Sequence, residues 1–150
     1  AIALAAFYVF FGVVAMSKEH QWPLTNYFQA MWLHWIMLGV VIAMTLLGSL
    51  IFSAPSANTT ICFIVVAFIL LLGRHLDKVA MQVPEPGRSL LEALYFALPH
   101  LEFYDARDLV IHNWPPIRWL VCLKATAYAA AYGTLFLVAS CLLFRRKALN

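Results

Sequence analysis

The chain has 150 residues, 64% of them hydrophobic and 11% charged, with a formal net charge of +3 and a mean hydropathy of +0.83. A water-soluble domain carries about 25% charged residues, so this composition excludes an ordinary soluble domain and points to a bilayer as the solvent. In hydrocarbon the backbone satisfies its own hydrogen bonds, and apolar runs without a two-residue alternation, such as those here, are therefore helices.

Residues 1–16 are apolar without interruption and end at Ser17-Lys18-Glu19-His20. Sixteen residues cover roughly 24 Å, short of a hydrocarbon core of about 30 Å, which reads as a first span that has lost its beginning. The run starts without Met and has neither a basic stretch nor a small-residue cleavage site, so a truncated span is expected in preference to a signal peptide. Trp22-Pro23, Tyr27, Trp32 and Trp35 supply interfacial aromatic residues to a second span at about 31–54. Ser53-Ala54-Pro55-Ser56 then turns the chain into a third span at about 57–73, closed by Arg74, His75, Asp77 and Lys78, so that spans two and three form a helical hairpin.

Residues 74–116 hold most of the charges and prolines and are expected outside the hydrocarbon. Within them Ser89 and Glu92 have the spacing of a capping box, and Leu90, Leu91, Leu94, Tyr95 and Leu98 share one helical face that stops at Pro99. The pattern predicts a short interfacial helix at about 90–98, which cannot cross a bilayer. A last span at about 117–144 runs into Arg145, Arg146 and Lys147, a membrane-flanking anchor with no resemblance to a nucleic-acid surface. The predicted fold is all-α: one polytopic transmembrane helical bundle, residues 1–150, with about four spans and the interfacial helix.

No phosphate-binding loop, nucleophile elbow or zinc-protease motif occurs, so no catalytic residue, metal site or cofactor is predicted and the chain is not expected to be an enzyme. Cys62, Cys122 and Cys141 lie in apolar runs without metal or disulfide spacing. The hairpin brings His34 and His75 toward one membrane face, with His20 and His112. Facing histidines could hold haem b, but only His34 lies inside a span, and interfacial histidines are the simpler reading. In the last span Ala125, Ala129 and Gly133 recur every four residues, a small-residue groove for close helix packing. Lys124, Tyr128 and Tyr132 form a second stripe. An intramembrane lysine is costly enough to be a translocation-path candidate, although Lys124 stands only about 10 Å from the start of the span, within snorkelling range.

Leu98-Pro99-His100-Leu101-Glu102-Phe103-Tyr104-Asp105-Ala106-Arg107-Asp108-Leu109 resembles the segment that precedes the final span in membrane-spanning permease subunits of type-2 ATP-binding-cassette transporters. The order of other parts agrees. Leu47-Gly48-Ser49-Leu50-Ile51-Phe52-Ser53-Ala54-Pro55 looks like the small-residue turn between that family's fourth and fifth spans, Leu72-Gly73-Arg74-His75-Leu76 like the exit of the fifth, and Tyr128 to Lys147 like the sixth with its basic end. The resemblance covers nearly the whole chain and implies the C-terminal four-span portion of a six-span exporter permease.

The resemblance also implies a separate ATP-binding ATPase subunit, a second permease subunit facing the first, and no ATP site in this chain. It places the C-terminus in the cytoplasm of a bacterium and residues 74–116 outside, with Leu94, Pro99, Glu102, Asp105 and Arg107 in an outer-gate segment. Counting Lys and Arg by side favours the reverse orientation, because Lys18, Arg74, Lys78, Arg88, Arg107 and Arg118 collect opposite the tail. Two rival readings are a non-catalytic accessory subunit of a larger membrane complex and a haem-b or quinone-binding electron-transfer anchor.

Overall fold

A computed structural model of the chain describes residues 2–20, 25–80, 82–112 and 114–148. They form six α-helices: α1 (Ile2–Glu19), α2 (Thr25–Ile51), α3 (Pro55–Ala80), α4 (Gly87–Ala97), α5 (Arg107–Ile111) and α6 (Trp119–Ala148). A 3₁₀ turn covers Leu101–Tyr104, and no strand occurs among the described residues. The chain divides into two compact units, residues 1–40 with 104–130 and residues 41–103 with 131–150, and α2 and α6 each contribute a segment to both.

Among the described residues two helices are long and apolar enough to cross a membrane, Thr25–Ile51 and Trp119–Lys147, whereas α1 and α3 carry shorter apolar stretches, Ile2–Lys18 and Pro55–Leu71. Only 17% and 11% of the most apolar windows of the two long helices are buried. The core helix of a soluble domain would instead be covered by its neighbours.

The helices outrun several boundaries expected from hydropathy. α1 continues to Glu19, α2 begins at Thr25, and α3 continues to Ala80. Hydropathy marks where polar side chains begin, but a helix ends where its backbone bonding is interrupted. For α1 the interruption is His20, which takes φ 53° and donates its N–H to Met16 O at 3.0 Å, an αL cap. α3 starts on Pro55, whose fixed φ and missing N–H suit the first helical position. Hydroxyls within the apolar helices fold back on the preceding turn: Thr45 on Val41 O, Thr126 on Cys122 O and Ser140 on Phe136 O, each at 2.7–2.8 Å.

In the unit of residues 41–103 and 131–150, α3 packs against α4. The short helix exists, but it is capped differently from the sequence expectation. It starts at Gly87, and Glu85 supplies the cap, accepting from Ser89 Oγ at 2.6 Å and from Ser89 N at 3.4 Å. Glu92 does not reach back to complete a capping box; it pairs with Arg88 Nε at 2.7 Å. A turn closed by Gly87 N–H to Pro84 O sets Glu85 one turn ahead of Ser89, which explains the change of partner. Leu90 is 72% exposed and so leaves the expected buried face, while Leu91, Tyr95 and Leu98 are half-buried.

Candidate functional site

In the unit of residues 1–40 and 104–130, the polar side chains that open α2 hold the segment before α6. Asn26 and Gln29 are almost wholly buried. Asn26 Nδ2 donates to Leu109 O at 3.2 Å and to Trp114 O at 3.1 Å. Gln29 makes a reciprocal pair with Ile117, donating from Nε2 to the carbonyl at 2.8 Å and accepting the amide at Oε1 at 2.9 Å. Tyr104, 1% exposed, donates its hydroxyl to Ala125 O in α6 at 2.9 Å. Trp32 Nε1 donates to Thr126 Oγ1 at 3.1 Å. Residues 104–117 are therefore a strap fastened at one end to α6 and at the other to α2. Burial pushes the Tyr104 phenol up to about 12, so it remains a donor well beyond neutral pH.

Ala106 and Leu109 face inward on the strap. Between them Arg107 grips Asp105 with Nε on Oδ1 at 2.7 Å and Nη2 on Oδ2 at 2.8 Å. This ion pair lies within electrostatic reach of His34. Tyr8 of α1 and His34 share a hydrogen bond through the hydroxyl and Nδ1, and Tyr27 donates to Tyr8 O at 2.5 Å. The two tyrosine rings meet edge to face with centroids 5.2 Å apart. Beside them an apolar cleft of about 220 Å³ opens between α1 and α2, with Gly12, Met16, Phe28 and Met31 in its walls.

The other unit holds a second cluster. His100 lies between Tyr95 and Phe103, with ring centroids at 4.4 and 5.1 Å. Its Nδ1 is 3.1 Å from Glu102 Oε1. Glu102 is 8% exposed, and its Oε2 has no hydrogen-bond partner among the described residues.

The residues expected to form a site fall in both units. Pro99 is buried, Glu102 meets His100, and Asp105 meets Arg107. The side chains of Leu94, His75 and Asp108 lie outside the described residues. In the small-residue stripe, Ala125 accepts Tyr104 and Ala129 is buried, but a Cβ on Gly133 would meet nothing within 4 Å. Among the described residues no neighbour is pressed against Gly133. Lys124 is exposed, Tyr128 and Tyr132 are half-buried, and Tyr132 rests against Phe136 with centroids 6.0 Å apart. Among the described residues no three His, Cys, Asp or Glu side chains gather as a metal site.

No protein-family model, curated protein or solved structure matches this chain. Tyr8, Asn26 and Gln29 carry much of the observed geometry without having been singled out by any motif, and Tyr104 stood in the permease-like segment with no partner assigned to it. The available signal was a polar group in an apolar setting, which has to find a partner.

Proposed function

We propose that this chain is the membrane-spanning permease component of an ATP-driven exporter of the type-2 ATP-binding-cassette class, crossing the bilayer through α1, α2, α3 and α6. α2 and α6 run about 40 and 45 Å, more than the hydrocarbon requires. The apolar stretches of α1 and α3 extend about 25 Å, a mismatch that local thinning and flanking side chains absorb. Phe10, Phe63, Leu71, Leu123 and Leu135, each more than 60% exposed, suit lipid contact.

The observation that carries the reading is the strap. The segment whose residue order resembles that of exporter permeases does not trail into solvent: Tyr104 and Asn26 tie it to the two longest apolar helices, and Gln29 holds the chain that follows it. That arrangement supports a sealed end on a translocation path, facing outward, with the basic C-terminal tail in the bacterial cytoplasm. The power comes from a separate ATPase subunit, and a second permease subunit completes the path.

The assignment is tested by transport in the host membrane. Export is expected to require a nucleotide-hydrolysing subunit and to vanish when that subunit's phosphate-binding lysine is replaced; undiminished export would overturn the assignment. Topology is tested separately, with Cys62, Cys122 and Cys141 replaced. Cysteines introduced at positions 89 and 150 are expected to be labelled from opposite faces, and labelling from one face would remove a span.

A further inference from the structure

No carboxylate among the described residues balances the charges at the end of α6. The sequence has no Asp or Glu from residue 20 to 76 and none from 109 to 150. In the unit that contains the tail, the described carboxylates are engaged elsewhere: Glu85 with Ser89, Glu92 with Arg88, and Glu102 with His100. Lys147 donates to Leu50 O at 2.5 Å, which brings the last turns of α2 and α6 together. Two helix C-termini supply roughly −0.5 each, enough to offset one of the three cations. Arg145 and Arg146 are exposed and have no carboxylate partner among the described residues.

An apolar groove of about 340 Å³ leads up to Arg145 along one face of α6, with Arg146 the next residue in the chain. It is lined by Thr134, Leu137, Val138, Cys141, Leu142 and, at its end, Arg145. From Thr134 to Arg145 is about 16 Å of helix, the length of an acyl chain in one leaflet. Cation and groove therefore demand different halves of one amphiphile.

We infer that this end of α6 is a binding site for an anionic phospholipid, with the headgroup phosphate on Arg145 and Arg146 and one acyl chain along the groove. Zwitterionic lipid fits the groove equally well but brings its own ammonium to the arginines, so the preference lies in the headgroup. The inference rests on the reading of α6 as a membrane span.

The test uses the full chain in nanodiscs of phosphatidylcholine containing phosphatidylglycerol, with native mass spectrometry of the lipid that stays bound after release. Phosphatidylglycerol is expected to be retained over phosphatidylcholine by at least about fivefold, the contribution of one interfacial cation. The Arg145→Gln/Arg146→Gln variant should lose the preference, Arg145→Lys/Arg146→Lys should keep it, and Lys124→Gln should leave it unchanged. Excess glycerol phosphate should not displace the lipid. Equal retention of the two lipids, an unchanged preference in the double glutamine variant, or displacement by glycerol phosphate would overturn the inference. Alkali extraction separates this from the underlying reading. Release of the unmodified chain from membranes would overturn the span itself, whereas firm insertion with no headgroup preference overturns the lipid site alone.

Discussion

Asn58 occupies the space that a side chain on Gly48 would need. A Cβ at position 48 would overlap Asn58 Oδ1 and stand 3.2 Å from Cys62 Sγ. The Asn58 amide, almost wholly buried, donates to Thr45 O at 3.3 Å and accepts from Cys62 Sγ at 3.2 Å. The α2–α3 hairpin thus closes around a polar group that is satisfied only because its neighbour across the hairpin is glycine.

Gly48→Ala is expected to destabilise the protein by about 1–3 kcal/mol, the range for forcing a methyl group into a packed site. Thermal unfolding in detergent measures it. Asn58→Ala should also destabilise, by leaving the Thr45 carbonyl short of a partner. The double variant should lose less than the sum, because the clash disappears with the amide. Strict additivity would show that the two positions do not compete for space.

Gln29 satisfies both backbone groups of Ile117, a half-buried residue. Gln29→Leu keeps the volume but strands a donor and an acceptor, with an expected cost of about 1–3 kcal/mol. Faster amide exchange at Ile117 should accompany it. Gln82→Leu, at an exposed position, should change neither quantity.

The helices were legible in the sequence because an uninterrupted apolar run has few alternatives in hydrocarbon. The strap was not. Asn26 and Gln29 name no partner locally, since their acceptors lie 83 to 88 residues away. The loop sequence likewise shows a turn near Pro99 but not that Tyr104 reaches a carbonyl of α6. Spacing alone suggested that Ser89 and Glu92 cap α4, yet Glu85, four residues ahead of Ser89, competes successfully from the Pro84–Gly87 turn. Lys124, an unusual residue type in an apolar run, is exposed on the surface of α6, where a long stem can carry its ammonium toward polar surroundings.

The Asp105–Arg107 pair is unequal in exposure, with side chains 12% and 69% exposed. Removing the guanidinium takes two donors from a largely buried carboxylate, whereas removing the carboxylate leaves an arginine that water already reaches. Arg107→Gln is therefore expected to destabilise the strap more than Asp105→Asn. Melting temperatures of the two variants at neutral pH decide it. A larger loss in Asp105→Asn would show that the arginine depends on the acid, and not the acid on the arginine.

Tyr104 links the strap to pH. Its phenol is raised from 10.0 to about 12 by burial, so as pH rises the unfolded chain gives up this proton before the folded one does. The stability that the neutral phenol contributes is complete below pH 10 and is lost as pH climbs toward 12, at about 1.4 kcal/mol per pH unit in that window. Tyr104→Phe removes the hydrogen bond to Ala125 O, costing about 1 kcal/mol at neutral pH, but also removes this titration. Other ionisable groups act on both proteins alike. The two stability curves should therefore run parallel up to about pH 10, converge above it and meet near pH 11, where the lost hydrogen bond and the lost titration balance. Unfolding in detergent from pH 8 upward follows both curves. A gap of constant size across the whole range would mean that Tyr104 titrates in the folded protein as it does in the unfolded chain, which its burial against α6 does not allow.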